Sequence, residues 1–164
     1  MISKLKQFCL PEITGKYIVR LMFVGVLAYV LFDFVLLPFR IQGHSMDPTY
    51  KNGEFNFCFR QRYIFSQPAR GDVVCVKLAG ETVVLLKRVV ALEGEVVEIR
   101  NGKFFVNEKR LDEAYVSHPS DWNLPPRVVK KNNVYVVGDN RNVPINVHKF
   151  GQTPAKRIIG TPLW

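Results

Sequence analysis

The stretch Leu21–Phe39, LMFVGVLAYVLFDFVLLPF, limits what this chain can fold into more than any other part of it. It holds 19 residues and a single charge, Asp33. As a helix, a run of that length crosses a hydrocarbon core of about 30 Å. The other use of such a run is a buried core helix, to which Asp33 and the internal Gly25 are suited. Lys4, Lys6, Lys16 and Arg20 precede it against one acid, Glu12, a bias that keeps the N-terminal arm in the cytoplasm. A cleavable leader has a shorter apolar region and then a small-x-small exit. Here the run ends LLPFRIQG, which reads as an uncleaved anchor. The organisation expected is a basic cytoplasmic arm over residues 1–20, a transmembrane anchor over 21–39, and an extracytoplasmic domain over 40–164.

Beyond the anchor the helical period is lost. Glu54–Phe59, EFNFCF, alternates with Phe55, Phe57 and Phe59 on one face, the pattern of a strand. Asp72–Leu78 and the long apolar Thr82–Leu92 read as two more. Glu95–Leu111 reads as a hairpin, because Asn101–Gly102 supplies the two positive-φ positions of a type I′ turn. Asn133–Asn140 gives a last strong strand and turn, and the tail AKRIIGTPLW has room for a short one. Leu111–Lys131 is a polar, proline-containing connector with no regular pattern. The fold class expected is mainly β: a compact barrel or sandwich behind one N-terminal transmembrane helix.

Composition narrows the chemistry only a little. Hydrophobic residues make up 48% of 164, ample for one core. The balance of 23 basic and 14 acidic residues gives +9, which suits anionic lipid, nucleic acid or an acidic partner equally. The basic residues are scattered rather than grouped with stacking aromatics, so nucleic acid is not the expected partner. His44, His118 and His148 have no metal-ligand spacing with one another or with Cys9, Cys58 and Cys75, so neither a metal site nor a cofactor is expected. Cys58 and Cys75 lie in apolar strand contexts and read as small buried hydrophobes; whether they bridge is a matter of geometry.

Two residues raise the question of catalysis. Ser45 sits in the loop QGHSMDPTYKNGE directly after the anchor. A loop serine is commonly a turn former, and its hydroxyl becomes a nucleophile only where a base takes its proton. His44 is its chain neighbour and points elsewhere in an extended loop. Lys87 is embedded in VVLLKRVVAL, where an inward-facing lysine would be desolvated and so suited to act as a base. In strand alternation Lys87 and Arg88 take opposite faces, so one of the two must point inward or be covered. The alternative is a lysine on a solvated strand face.

Taken together, four stretches resemble the successive sequence boxes of type I signal peptidases: GHSMDPT, RGDVVCVK, LLKRVVALEGE and GDNRNVPINVHKFG. They occur in the family's order and span Gly43 to Gly151, roughly two-thirds of the chain. The resemblance implies a membrane-anchored serine endopeptidase that removes N-terminal signal peptides from exported preproteins. Its catalytic domain would have the family's β fold and lie outside the inner or plasma membrane. Ser45 would be the nucleophile, Lys87 the general base, and the Ser45 N–H an oxyanion donor. Ile41, Gln42, Leu85 and Leu86 match positions around the family's shallow pockets for small residues. Gly43, Met46, Asp139, Arg141 and Asn146 fall at supporting positions of the boxes. Gly43 stands where some members carry an additional hydroxyl donor.

The fourth box departs from the family pattern. Pro144 stands where many members have a serine that orients the lysine, and Asn146 and His148 replace an Asp and an Arg. These changes lean toward relatives that mature conjugative pilins, so a propilin is the second substrate to weigh. Self-cleaving repressors, which share Ser/Lys chemistry, do not fit: Ala79–Gly80 follows Ser45 and no helix-turn-helix precedes the domain. The non-enzymatic alternative is an inactive, membrane-tethered β domain whose basic surface binds a partner.

Overall fold

The computed structural model describes residues 14–77, 84–117, 120–146 and 151–164. Helix α1, Gly15–Val30, is capped by Thr14, whose side chain accepts from the Tyr17 N–H. It runs into a π-helical turn, Leu31–Val35, that contains Asp33. Together they form one apolar segment of 21 residues, long enough by length and composition to cross a membrane. None of its side chains is buried. Helical structure thus begins ahead of Leu21 and ends ahead of Phe39. The apolar run continues past Val35, but Pro38 has no amide hydrogen for another helical turn, and strand β1, Leu36–Arg40, has already begun.

The chain divides into two units, the second starting at Leu37. The second unit is mainly β, as the sequence pattern leads one to expect, and is built from two sheets. Its strands after β1 are β2 (Phe55–Phe59), β3 (Val73–Lys77), β4 (Val84–Ala91), β5 (Val96–Arg100), β6 (Lys103–Val106), β7 (Lys109–Arg110), β8 (Leu124–Val128), β9 (Asn133–Val137), β10 (Gly151–Pro154) and β11 (Ile158–Pro162). One sheet has the order β1-β2-β11-β3-β4-β9-β10 and the other β7-β6-β5-β8. The strand read over Thr82–Leu92 begins, among the described residues, at Val84.

β4 is the hinge of this arrangement. It pairs antiparallel with β3 on one side and β9 on the other, with an irregularity between Val89 and Ala91. Both of its faces are covered, which explains why its sequence is a nearly continuous apolar run rather than an alternation. Leu86 packs with Ile41, Met46, Cys58 and Cys75, whereas Val89 packs with Val74, Val76, Val134 and Val136. Val90 and Ala91 join Val97, Ile99, Phe104, Val106 and Trp122, the cluster that closes the four-stranded sheet. Asn101 and Gly102 both adopt positive φ and turn β5 into β6. Gly160 lets β11 pass close to β2, since a Cβ there would lie 2.3 Å from the Phe59 carbonyl oxygen.

Two strands differ from the sequence reading. β8 lies inside the Leu111–Lys131 connector, where Pro125 and Pro126 argue against a strand; it is an edge strand, the place where missing amide hydrogens are tolerated. β10 is only Gly151–Pro154 and occupies the edge of the other sheet, paired with β9. Its four residues carry no alternation to read.

Candidate active site

The loop that follows β1 is tied down at its base before it presents Ser45. The Ile41 N–H donates to the Glu54 carbonyl, and the Gly53 N–H to that of Ile41, each at 2.8 Å. Gly43 turns the chain at φ +92°, a conformation that favours glycine. Its N–H donates to Asn52 Oδ1 at 2.9 Å, so this amide is already engaged across the loop. Met46 points inward and is 2% exposed, anchoring the loop in the cluster of Ile41, Cys58, Cys75 and Leu86. His44 turns away, its Nδ1 lying 2.8 Å from Asp47 Oδ2.

A second segment clamps Ser45 from outside the loop. The turn after β9 brings Asn140, whose N–H donates to the Ser45 carbonyl at 3.0 Å, while its side-chain amide donates to the His44 carbonyl at 2.9 Å. Asp139, fully buried, accepts from Thr49 Oγ1 at 2.6 Å. It also receives both Arg88 Nε at 2.8 Å and Arg88 Nη2 at 2.6 Å, a bidentate ion pair between β4 and the turn. Arg88 Nη1 reaches the Gly71 carbonyl, and its guanidinium lies over the Tyr115 ring at 4.0 Å. Burial is the largest single influence on Arg88 and opposes its charge, but the hydrogen bond and the charge of Asp139, with Tyr115 and Tyr50 nearby, together outweigh it, and the net effect raises its pKa.

Against this frame Lys87 comes off β4 with only 3% exposure, and its Nζ lies 2.8 Å from Ser45 Oγ. The structure therefore covers both basic neighbours on β4, one by Ser45 and one by Asp139. Ile41, Gln42, Leu85 and Leu86 lie together with Phe39, Gly43, Ser45, Met46 and Val84 around a cavity of about 20 Å³. That is space for one water or a methyl-sized group. Ile41 and Leu86 form its buried wall, whereas Gln42 sits at its exposed rim.

The remaining supporting positions sit apart from this cavity. Arg141 is 1% exposed, stacks 4.2 Å over the Phe104 ring and donates Nη2 to Glu113 Oε1 at 2.5 Å. Glu113 Oε1 also accepts from the Tyr115 hydroxyl at 2.9 Å. A continuous chain of contacts thus runs from Arg88 through Tyr115 and Glu113 to Arg141. Asn146 is exposed and hydrogen-bonds to none of the described residues. His148 lies outside the described residues, and Pro144 is exposed.

Thr49, Asn52, Glu113, Tyr115 and Asn140 are contributors that the sequence reading missed. Thr49 and Asn140 lie within the quoted boxes; Asn52 carried no signal because its bond to Gly43 appears only once the loop has its shape, and Glu113 and Tyr115 carried none because they meet Arg141 and Arg88 from farther along the chain. Among the described residues no group of His, Cys, Asp or Glu is arranged to hold a metal ion. Cys58 and Cys75 are free and buried. The neighbouring Cys58 and then burial push the Cys75 thiol upward, which leaves it protonated and no rival to Ser45 as a nucleophile.

Comparison with known proteins gives a consistent result. The model of the family described as signal peptidase, peptidase S26, matches residues 14–164. The chain is 35% identical over 152 residues to a probable signal peptidase I-1 of Synechocystis sp., covering 88% of this chain and 78% of that one. It is 32% identical over 146 residues to signal peptidase I P of Bacillus subtilis subsp. natto, covering 82% and 79%. With thylakoidal processing peptidase 1 of Arabidopsis thaliana it shares 32% identity over 171 residues, covering 97% of this chain and 48% of the plant protein. The chain spans about half the length of the plant relatives it matches. A solved signal peptidase I from Enterococcus faecalis aligns over 58% of this chain and 97% of its own, with 22% identity and a TM-score of 0.48.

Proposed function

Because the chain belongs to the signal peptidase family, peptidase S26, we propose that it is a serine endopeptidase that cuts N-terminal signal peptides from exported preproteins with Ser45 and Lys87. The observation that carries the assignment is the 2.8 Å approach of Lys87 Nζ to Ser45 Oγ, with the amine almost wholly buried. Burial disfavours the charged ammonium, and a neutral amine at that distance is placed to accept the hydroxyl proton.

The reaction then follows from the geometry. Ser45 Oγ attacks the carbonyl carbon of the scissile bond while its proton passes to Lys87 Nζ. The oxyanion that forms is met by the backbone N–H of Ser45. Gly43 offers no hydroxyl, and its own amide is bonded to Asn52, which agrees with the backbone donor that the family resemblance implies, Ser45. The ammonium returns the proton to the departing amine as the peptide bond breaks, leaving an acyl ester on Ser45. Water, deprotonated by the same lysine, attacks the ester and frees the enzyme. A cavity of about 20 Å³ walled by Ile41 and Leu86 admits an alanine methyl and little more, which would favour small residues before the cut. Leu85 and Gln42 flank the peptide from β4 and from the rim.

The Asp139–Arg88 pair, Met46 and Asn140 hold the nucleophile loop, and Arg141 holds the turn that carries Asp139. The apolar segment would span the bilayer once, with the basic arm in the cytoplasm and the catalytic unit on the outer side. Ser45 follows the end of the apolar segment at Val35 by only ten positions along the chain, a tether short enough to suit a cleavage site that a signal helix presents near the bilayer surface.

The test is cleavage in liposomes of a secretory preprotein with an Ala-x-Ala site and of a conjugative propilin. Wild type, Ser45→Ala and Lys87→Ala are compared after each is shown to fold. Wild type cuts and neither variant does, with the preprotein preferred. Cleavage by either variant at the wild-type rate would remove that residue from the mechanism. Preference for the propilin would point to the specialised branch, to which the Pro144 departure leans.

A further inference from the structure

The backbone of Ser45 is gripped from outside its loop by the Asn140 amide, so the place of Ser45 depends on what holds the turn at residues 138–141. Two arginines hold it. Arg88 binds the Asp139 carboxylate through Nε and Nη2, and Arg141 Nε donates to the Gly138 carbonyl at 2.8 Å. With Nη1 on the Gly71 carbonyl at 2.7 Å, all three nitrogens of Arg88 are bonded within the plane of the guanidinium. Bonds in that plane do not keep water off its faces, and water there would weaken the ion pair.

Both guanidinium groups have an aromatic ring against one face. For Arg141 the ring is Phe104, which belongs to the core of the four-stranded sheet. For Arg88 it is Tyr115, at 4.0 Å, on the connector that follows β7. No strand carries Tyr115, so its place is set by its own bonds. The Tyr115 hydroxyl donates to Glu113 Oε1 at 2.9 Å, and Arg141 Nη2 donates to the same oxygen at 2.5 Å. Arg141 Nη1 reaches Glu113 Oε2 at 3.3 Å. The connector therefore lays a carboxylate on one arginine and a ring on the other, two residues apart. Burial and then the charge of Glu113 push the Tyr115 phenol upward, so it stays a hydroxyl able to donate.

We propose that Glu113 and Tyr115 are positioning residues for the cleavage reaction. They form a strap that shields the Arg88–Asp139 pair from water and keeps the Asn140 amide on the Ser45 carbonyl, with Ser45 Oγ at Lys87. This role presupposes the Ser45–Lys87 reading, but one arm of its test needs no catalysis.

The full chain in detergent is compared with three variants. Tyr115→Leu removes ring and hydroxyl, Tyr115→Phe the hydroxyl alone, and Glu113→Gln the charge that faces Arg141 while leaving an oxygen for the phenol. On a soluble peptide, Tyr115→Leu is expected to lower kcat about tenfold per folded molecule, with KM within about twofold of wild type. Tyr115→Phe keeps the ring on Arg88 and recovers kcat to within about threefold, and Glu113→Gln falls between the two. Tyr115→Leu combined with Asn140→Ala slows cleavage no more than the slower of the two alone, because both act on the same carbonyl. A role in packing alone would lower the thermal midpoint and leave kcat per folded molecule unchanged, and that result overturns the proposal.

Amide hydrogen exchange supplies the arm independent of catalysis. Tyr115→Leu is expected to speed exchange about fivefold or more in the peptide that contains Asn140, while the β5–β6 hairpin keeps its wild-type rate. Tyr115→Phe leaves both near wild type. Unchanged exchange at Asn140, or an equal rise in the hairpin, overturns the strap. A wild type that cuts nothing and still shows the local rise fails the peptidase reading alone.

Discussion

The two sheets of the second unit bury different things. The four-stranded sheet closes on Val97, Ile99, Phe104 and Val106, all apolar and at most 3% exposed. The seven-stranded sheet and its connecting turns bury Asn56, Lys87 and Asp139 along with their apolar neighbours. Burying a polar group is unfavourable unless every partner is in place. The site-bearing sheet accepts that cost where the proposed chemistry needs it, at Lys87, and compensates nearby with a bidentate ion pair. The other sheet is under no such demand. Arg141 joins the two, stacked on Phe104 on one side and holding the Gly138 carbonyl beside Asp139 on the other. The lesson is a division of labour: one sheet carries cohesion, the other carries function at the expense of cohesion.

Substitutions that separate activity from stability put this division to the test. Lys87→Met should give the largest effect, a loss of about 10³-fold or more in cleavage rate. Its stability should hold or rise, because an apolar side chain of similar length replaces a buried amine. A rate assay and a thermal midpoint in detergent measure the two; a fall in both would erase the distinction between the sheets. Asp139→Ala should lower both, costing up to about 3 kcal/mol by leaving the partly buried Arg88 without its carboxylate, and loosening the loop through Thr49. Ile99→Ala belongs to the other sheet, where a cavity costs about 2–5 kcal/mol. Its rate per folded molecule should stay near that of wild type. If Ile99→Ala slowed cleavage as much as Asp139→Ala does, the four-stranded sheet would be part of the catalytic frame.

Much of this architecture can be read from local pattern. The β5–β6 hairpin is legible because Asn101–Gly102 can supply its turn, and β2 because three phenylalanines alternate. The long strand β4 is legible as a strand, but which of Lys87 and Arg88 turns inward is not. Alternation says only that they differ, whereas both faces of β4 are covered by elements far away in the chain. β8 escapes detection because its prolines mark an edge strand and a loop alike, and β10 because four residues hold no period. At the site, the pairing of Ser45 with Lys87 is legible only through resemblance, since nothing in the spacing of two residues 42 positions apart requires them to meet. Asn52, Glu113 and Tyr115 stayed hidden for a related reason: an acceptor or a ring becomes meaningful only once the fold supplies its partner.

The smallest effect is expected at Thr49, and it is the most discriminating. Its hydroxyl donates to the same Asp139 oxygen that receives Arg88 Nη2. Thr49→Val keeps the side-chain shape and removes one hydrogen bond to a carboxylate that retains two from arginine. Thr49 itself is exposed, so water can take the vacated place and the cost to stability should be about 1 kcal/mol or less. Its consequence for rate is of another kind. Thr49 is the side chain through which Asp139 grips the loop bearing Ser45, whereas Asn140 grips the same loop through the His44 and Ser45 carbonyls. If the two grips are redundant, Thr49→Val changes the rate by less than about twofold, and Asn140→Ala alone does little more. If they act as one clamp, each single substitution slows cleavage several-fold and the double adds little to either. The double-mutant cycle, read as kcat on a soluble peptide, decides between them. The clamp is the expected outcome: the Asn140 amide holds Ser45 by its backbone, and the Asp139–Thr49 bond adds to the buried Met46 and the Gly43–Asn52 bond in keeping the rest of the loop from turning about that point.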